Sequence, residues 1–160
     1  DVYKRQVFSG GGGPGPSYTD TNVIDFITMS TGGEASDFGD QSLTRRDIIP
    51  MSSSIRGVFA GGYSSPHAIT TSVNSMDFIT IATTGNATDF GDNTFLLRSM
   101  GACTNSLRAV YGGGNDPSAT LNTMSYVTIA TQGNGQDFGD LLTGRAVHAC
   151  GSSDSHGGLS

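Results

Sequence analysis

The side chains best equipped for chemistry lie in a tetrapeptide, Asp-Phe-Gly-Asp, that occurs at Asp37–Asp40, Asp89–Asp92 and Asp137–Asp140. An Asp-Phe-Gly triplet holds magnesium in phosphotransferases, but only beside a glycine-rich loop, a strand lysine and a catalytic loop. None of those partners is recognisable, and three copies at a fixed period mark a structural element. Paired carboxylates suit a hard cation such as calcium. Each copy supplies only two, without EF-hand spacing, and Asx-turn hydrogen bonding accounts for them better. The glycine-rich run 10–15 lacks the Gly-Lys-Ser/Thr ending and following helix of a phosphate-binding loop. His67, His148 and His156 fall at non-equivalent places with no metal-ligand spacing, and His148 sits in an apolar stretch that reads as core. No Gly-x-Ser-x-Gly elbow occurs. The sequence assigns no catalytic residue, no cofactor and no metal.

Two recurring residue types remain. Arg46, Arg98 and Arg145 follow the tetrapeptides, and they can grip an anion near a common axis. The better reading is that they tie one repeat to the next through hydrogen bonds to carbonyls or to the repeated aspartates. Cys103 and Cys150 stand five residues after Arg98 and Arg145, where Met51 stands five after Arg46. A slot that accepts Met or Cys is a small apolar core site. Equivalent sites in neighbouring repeats lie beyond the roughly 7 Å Cα separation that a disulfide needs. Both cysteines are expected to be free, buried thiols.

The elements that position these residues repeat with them. From Val7 onward, each unit opens with an apolar pair and a glycine doublet, Gly10-Gly11, Gly61-Gly62 or Gly113-Gly114. A loop of varying length follows, then an aromatic strand from Asp25, Asp77 or Ser125. The step from there to Asp37, Asp89 or Asp137 is 12 residues in every copy, and the arginine comes nine, nine and eight residues later. The units run 7–57, 58–109 and 110–157. Residues 1–6 fit no repeat and are set aside as a non-native or disordered leader, and 158–160 as a truncated tail.

A period near 50 residues belongs to blade or solenoid arrays. The invariant 12-residue step predicts two strands and a defined turn, with Thr84-Gly85-Asn86 and Gln132-Gly133-Asn134 as turn-formers. In repeat two, strands are expected near 58–61, 76–82, 87–91 and 99–104. The 76–82 strand is apolar on both faces, with Phe78, Ile79 and Ile81, so sheets must cover it on both sides. Face-to-face four-stranded sheets do this, and their radial version is a β-propeller.

Apolar pair, Gly-Gly, variable loop, aromatic strand (Phe26, Phe78, Tyr126), a second aromatic (Phe38, Phe90, Phe138) and an arginine together resemble the kelch repeat. The resemblance implies an all-β fold of three four-stranded antiparallel blades in an incomplete propeller ring. Phe38, Phe90 and Phe138 stand where kelch repeats place Trp, which this chain lacks. The phrase Ile-Ala-Thr-Thr-Gly-Asn-Ala-Thr-Asp-Phe-Gly-Asp also resembles repeats of predicted structural proteins in marine phages. Some kelch-like propellers are copper oxidases, which makes the alternative a fragment of an enzyme whose site lies outside this segment.

Bulk properties narrow the partners. Net charge is −6 and the sequence pI about 4.6, against nucleic acid as a ligand. No apolar run approaches the roughly 20 residues of a membrane span. Three blades leave two open faces, each exposing roughly 400 Å² of apolar surface, about 10 kcal/mol at ~25 cal/mol/Å². Further blades of the same chain or a second copy must cover them, and the loss of pattern after Gly151 favours a longer chain. The expected contact surface is the loops 12–21, 63–73 and 115–121, with Tyr18, Tyr63, His67, Asn115 and Asp116. That mix suits a protein or glycan and points to a non-catalytic structural or recognition module; the resemblance to phage repeats implies that it belongs to a virion or extracellular fibre.

Overall fold

β-branched and aromatic residues come in short runs between glycine, serine and asparagine, and each run becomes a strand. The computed structural model describes residues 5–12, 19–64 and 71–145, among which there is no α-helix. The strands are β1 (Arg5–Ser9), β2 (Val23–Thr28), β3 (Ser36–Asp40), β4 (Ile49–Ser52), β5 (Arg56–Ala60), β6 (Ser75–Thr80), β7 (Thr88–Asp92), β8 (Gly101–Thr104), β9 (Arg108–Gly112), β10 (Thr123–Thr128) and β11 (Gln136–Asp140). They form three antiparallel, blade-like sheets, ordered β1-β2-β3, β4-β5-β6-β7 and β8-β9-β10-β11.

The sheets are offset by one strand from the sequence units. β4 ends the first unit in sequence but pairs with β5, Met51 opposite Val58. β8 pairs with β9 in the same way, Cys103 opposite Val110. The first and second units thus hand their last strands to the next sheet, and β4 and β8 run close to one another. β1 begins inside the segment set aside as a leader. Arg5 and Gln6 pair with Thr28 and Ile27, so the last two residues of that segment enter the fold.

The core lies between sheets. Ile24, Phe38, Phe59 and Ile79 fill the space between the first and second. Met51, Val58, Met76, Phe90, Tyr111 and Val127 belong to the cluster between the second and third. On β5 the alternation is direct: Val58 and Ala60 join one cluster and Phe59 the other. On β6, Met76 and Ile79 divide likewise. A strand apolar on both faces is here a strand covered on both faces.

The Asp-Phe-Gly-Asp motif is a β-bulge. Ile24 faces Gly39 while Asp25 faces Asp37, which leaves Phe38 as the extra residue. Phe90 and Phe138 take the same place. The next residue has φ of 144° at Gly39, 140° at Gly91 and 126° at Gly139, where a Cβ is strained. The bulge sets each phenylalanine edge-on to the aromatic of the adjacent strand, at 5.9 Å for Phe26–Phe38 and Phe78–Phe90 and 6.1 Å for Tyr126–Phe138.

The bulge also receives the turn of the following sheet. Gly85 N–H donates to Phe38 O (2.7 Å) and Ala87 N–H to Asp40 O (2.8 Å), while Asp40 N–H donates to Asn86 Oδ1 (3.1 Å). The second joint repeats the set: Gly133 to Phe90 O (2.9 Å), Gly135 to Asp92 O (2.8 Å), and Asp92 N–H to Asn134 Oδ1 (3.0 Å). Only glycine lets the backbones approach this closely. A Cβ on Gly91 would lie 2.6 Å from Gly133 O, whereas one on Gly139 meets nothing within 4 Å. Gly91→Ala should therefore cost about 3 kcal/mol, backbone strain plus overpacking, and Gly133→Ala, whose Cβ meets nothing within 4 Å, only about 1–2 kcal/mol. Urea denaturation of the two variants measures the difference; equal losses would remove the joint from the account.

Candidate functional site

Each glycine doublet turns the chain into a loop that folds back on itself. The isolated bridges Gly12↔Asp20, Tyr63↔Ser72 and Asn115↔Thr120 close the three loops at equivalent points. A second bridge ties the second and third loops to the connection from the preceding sheet, Arg46↔Tyr63 and Arg98↔Asn115. Backbone hydrogen bonds run both ways, at 3.1 and 3.0 Å for Arg46–Tyr63 and 3.1 Å each way for Arg98–Asn115.

This ladder brings two arginines to one ring. The Arg46 guanidinium lies 5.0 Å from the centroid of Tyr63 and that of Arg98 5.8 Å away, both within cation–π range. Asp20 offsets one charge, with Oδ1 3.5 Å from Arg46 Nε and its side chain fully buried. Arg98 Nε is buried without a hydrogen-bond acceptor among the described residues. The cluster gathers an aromatic ring and two guanidinium groups, chemistry that suits an anionic or polar group.

Of the loop residues expected to bind, Tyr63 and Asn115 sit in this ladder. Asp116 does something else. Its Oδ1 accepts the N–H groups of Ser118 and Ala119, both at 2.6 Å, and the Ser118 hydroxyl at 2.8 Å. The Ser118 backbone bond, then the other two, holds its carboxyl below the usual range. It is a turn-former. Tyr18 and His67 lie outside the described residues, as do Cys150, His148 and His156. Beside Asp116, a cleft of about 330 Å³ is lined by Asn74, Thr94, Phe95, Leu96, Asp116 and Pro117.

The repeated arginines do not form one equivalent set. Gly11, Gly62 and Gly114 N–H donate to Arg45 O (3.3 Å), Leu97 O (2.8 Å) and Arg145 O (2.7 Å). Arg145 thus occupies the slot of Arg45 and Leu97, not that of Arg46 and Arg98. The spacing agrees: Arg45 and Arg145 each stand eight residues after Asp37 and Asp137. Grouping Arg145 with Arg46 and Arg98 despite its shorter interval hid this.

Arg45 performs the tie expected of Arg46. Fully buried, it reaches into the second sheet to Asp77 Oδ2 (2.9 Å), Ser75 O (2.9 Å), Gly61 O and Phe59 O (3.2 Å each), and Gln41 Oε1 accepts from its Nε (2.9 Å). Ser42 Oγ bonds both oxygens of Asp77 at 2.8 Å. Burial pulls the guanidinium below its ordinary pKa, and Asp77 pushes it back up. At the second joint the equivalents are Leu97, Asn93, Thr94 and Ser125, with Thr94 Oγ1 and Ser125 Oγ 3.2 Å apart.

A second arginine series carries a role that the sequence reading left unassigned. Arg5, Arg56 and Arg108 stack over Phe26, Phe78 and Tyr126 at 4.6, 4.8 and 4.8 Å. Arg5 Nη1 donates to Ile81 O (3.0 Å), and Arg56 Nη1 to Ile129 O (3.1 Å) and Ala130 O (2.8 Å), each on the next sheet. Their recurrence just before each Val of the opening pair was the available sign. Cys103 is a free thiol, half-buried rather than enclosed as expected. Among the described residues no group of three His, Cys, Asp or Glu side chains is gathered for a metal, and no helix is long and apolar enough to cross a membrane.

No family model and no curated protein matches the chain. The solved structure of YjhT is similar, with a TM-score of 0.71 at 7% sequence identity over 87% of this chain. The match covers 50% of YjhT, so the chain spans half the length of that protein. At this identity the likeness is one of fold.

Asp77→Ala strands a buried guanidinium and should cost about 3–5 kcal/mol. The double change Arg45→Leu with Asp77→Ser installs the pair of the second joint and should recover most of that loss. Thermal and urea denaturation of the two proteins check both values.

Proposed function

We propose that this chain is a non-catalytic recognition module, in which blade-like sheets of a kelch-like propeller present loops to a protein or glycan surface. The observation that carries the reading is the Tyr63 ring between Arg46 and Arg98. A flat aromatic face beside guanidinium groups suits sugar rings and carboxylate-bearing surfaces. The neighbouring cleft adds Phe95 and Leu96, 44% and 40% exposed. Length variation falls on the same loops, while the 12-residue step of the scaffold is constant. Placement in a virion or extracellular fibre rests on the resemblance of the repeat phrase to phage structural repeats.

Screening the chain on an array of neutral and acidic glycans and on immobilised proteins identifies the bound class. Replacing 12–21, 63–73 and 115–121 by Gly-Ser linkers should abolish binding. Arg98→Gln should weaken binding to an acidic target about tenfold. Binding that survives all three replacements sinks the proposal.

A further inference from the structure

We infer that the outward faces of the first and third sheets dock head to tail on a second copy of this chain, with Arg145 of one copy entering the slot beside Asp25 of the other. The inference rests on the propeller reading, since two copies close on each other only if the sheets are arranged radially.

The two outward faces are the two halves of the joint that already joins the sheets inside the chain. The donor half of that joint is an outer-strand bulge, a buried arginine and a stacked arginine; the third sheet presents all three. Phe138 is 51% exposed, whereas Phe38 and Phe90, covered by the following sheet, are each 2% exposed. Gly139 has open space where Gly39 and Gly91 meet a turn. Arg145, the equivalent of Arg45, is exposed. Arg108 stacks on Tyr126 as Arg56 does on Phe78, but among the described residues no carbonyl accepts from it.

The first sheet presents the acceptor half. Asp25 stands where Asp77 stands and has no ion pair among the described residues. Phe8 is 54% and Val23 40% exposed, while Phe59, the equivalent of Phe8, is 4% exposed. Met29 O and Ser30 O occupy the places of the Ile129 and Ala130 carbonyls that Arg56 bonds. The turn Gly33-Glu34-Ala35 replaces Gly85-Asn86-Ala87, with the Glu34 carboxylate as acceptor in place of Asn86 Oδ1.

Charge selects the pairing. The first internal joint buries Arg45 with Asp77, and the second sets Leu97 opposite Ser125. Asp25 calls for an arginine in the facing slot, and this chain's own third sheet holds one there. A sheet carrying leucine in that slot would bury the aspartate unpaired.

Sedimentation equilibrium of the 160-residue chain tests this. The wild type should have twice the 16.5 kDa chain mass. Asp25→Arg and Arg145→Asp should each raise the dissociation constant at least about a hundredfold with unchanged far-UV circular dichroism. An equimolar mixture of these two variants should restore the two-chain mass, because each of its two contacts then joins opposite charges. Should either reversal unfold the chain, Arg145→Gln at the exposed position carries the test, with the same weakening expected. A wild type of 16.5 kDa at all concentrations, an open series of higher masses, folded single variants that associate like wild type, or a mixture that stays dissociated overturns the inference. Ligand binding by the loops is read separately on the arrays, so neither failure is mistaken for the other.

Discussion

The structure depends on one contact, the seating of a glycine turn on a bulged outer strand. Every other feature of the repeat serves it. The bulge frees the carbonyls of Phe38 and Asp40 from the ladder and aims them at the amides of Gly85 and Ala87. Glycine on one side of the contact removes the Cβ that would hold the sheets apart. The phenylalanine turns inward and closes the core between sheets, worth about 1.5–3 kcal/mol for each ring buried. Arginines from β1 and β5 then reach across to the strand-end carbonyls of the next sheet. A motif that looks like a magnesium site is the means by which one sheet holds the next.

The two internal joints share this backbone scheme but differ inside. The first encloses an ion pair with most of its hydrogen-bonding capacity satisfied, an arrangement that tolerates little loss of a partner. The second replaces it with Leu97 and places the Tyr111 hydroxyl near Ser125, where burial raises the phenol's pKa and Ser125 opposes the rise. Asn93 sits buried there with both amide atoms unpaired among the described residues. Gly135 stands where Ala87 stands, and a Cβ at that position would strike the Tyr111 hydroxyl. Small differences in side chain thus give each joint its own identity, and with it a defined order of sheets.

Much of this was legible in the sequence, for reasons of period and composition. Strands expected near 58–61, 76–82, 87–91 and 99–104 are found at Arg56–Ala60, Ser75–Thr80, Thr88–Asp92 and Gly101–Thr104. The double-sided apolarity of the 76–82 stretch correctly implied cover on both faces. What escaped was phase and pairing. Sequence period cannot say which strand begins a sheet, and the fourth strands of the first and second units belong to the sheets that follow. Aligning arginines by type placed Arg145 with Arg46, whereas backbone hydrogen bonding places it with Arg45. Arg5 was lost because the segment around it fits no repeat when the count begins at Val7. On the loop face, loop variability singled out Tyr63 and Asn115 as candidates, but the stacking of Arg46 and Arg98 on one ring depends on a backbone bridge that no local pattern announces.

Loop length varies between the repeats, while the turn-to-bulge bonds recur unchanged at the two internal joints. The account holds only if those bonds are firm. Amide hydrogen exchange at Gly85, Ala87, Gly133 and Gly135 measures them directly. Protection matching that of the β5–β6 ladder is the result this account requires. Exchange at the rate of exposed turns, with the ladder still protected, would show that the sheets are held by side-chain packing alone and contradict it.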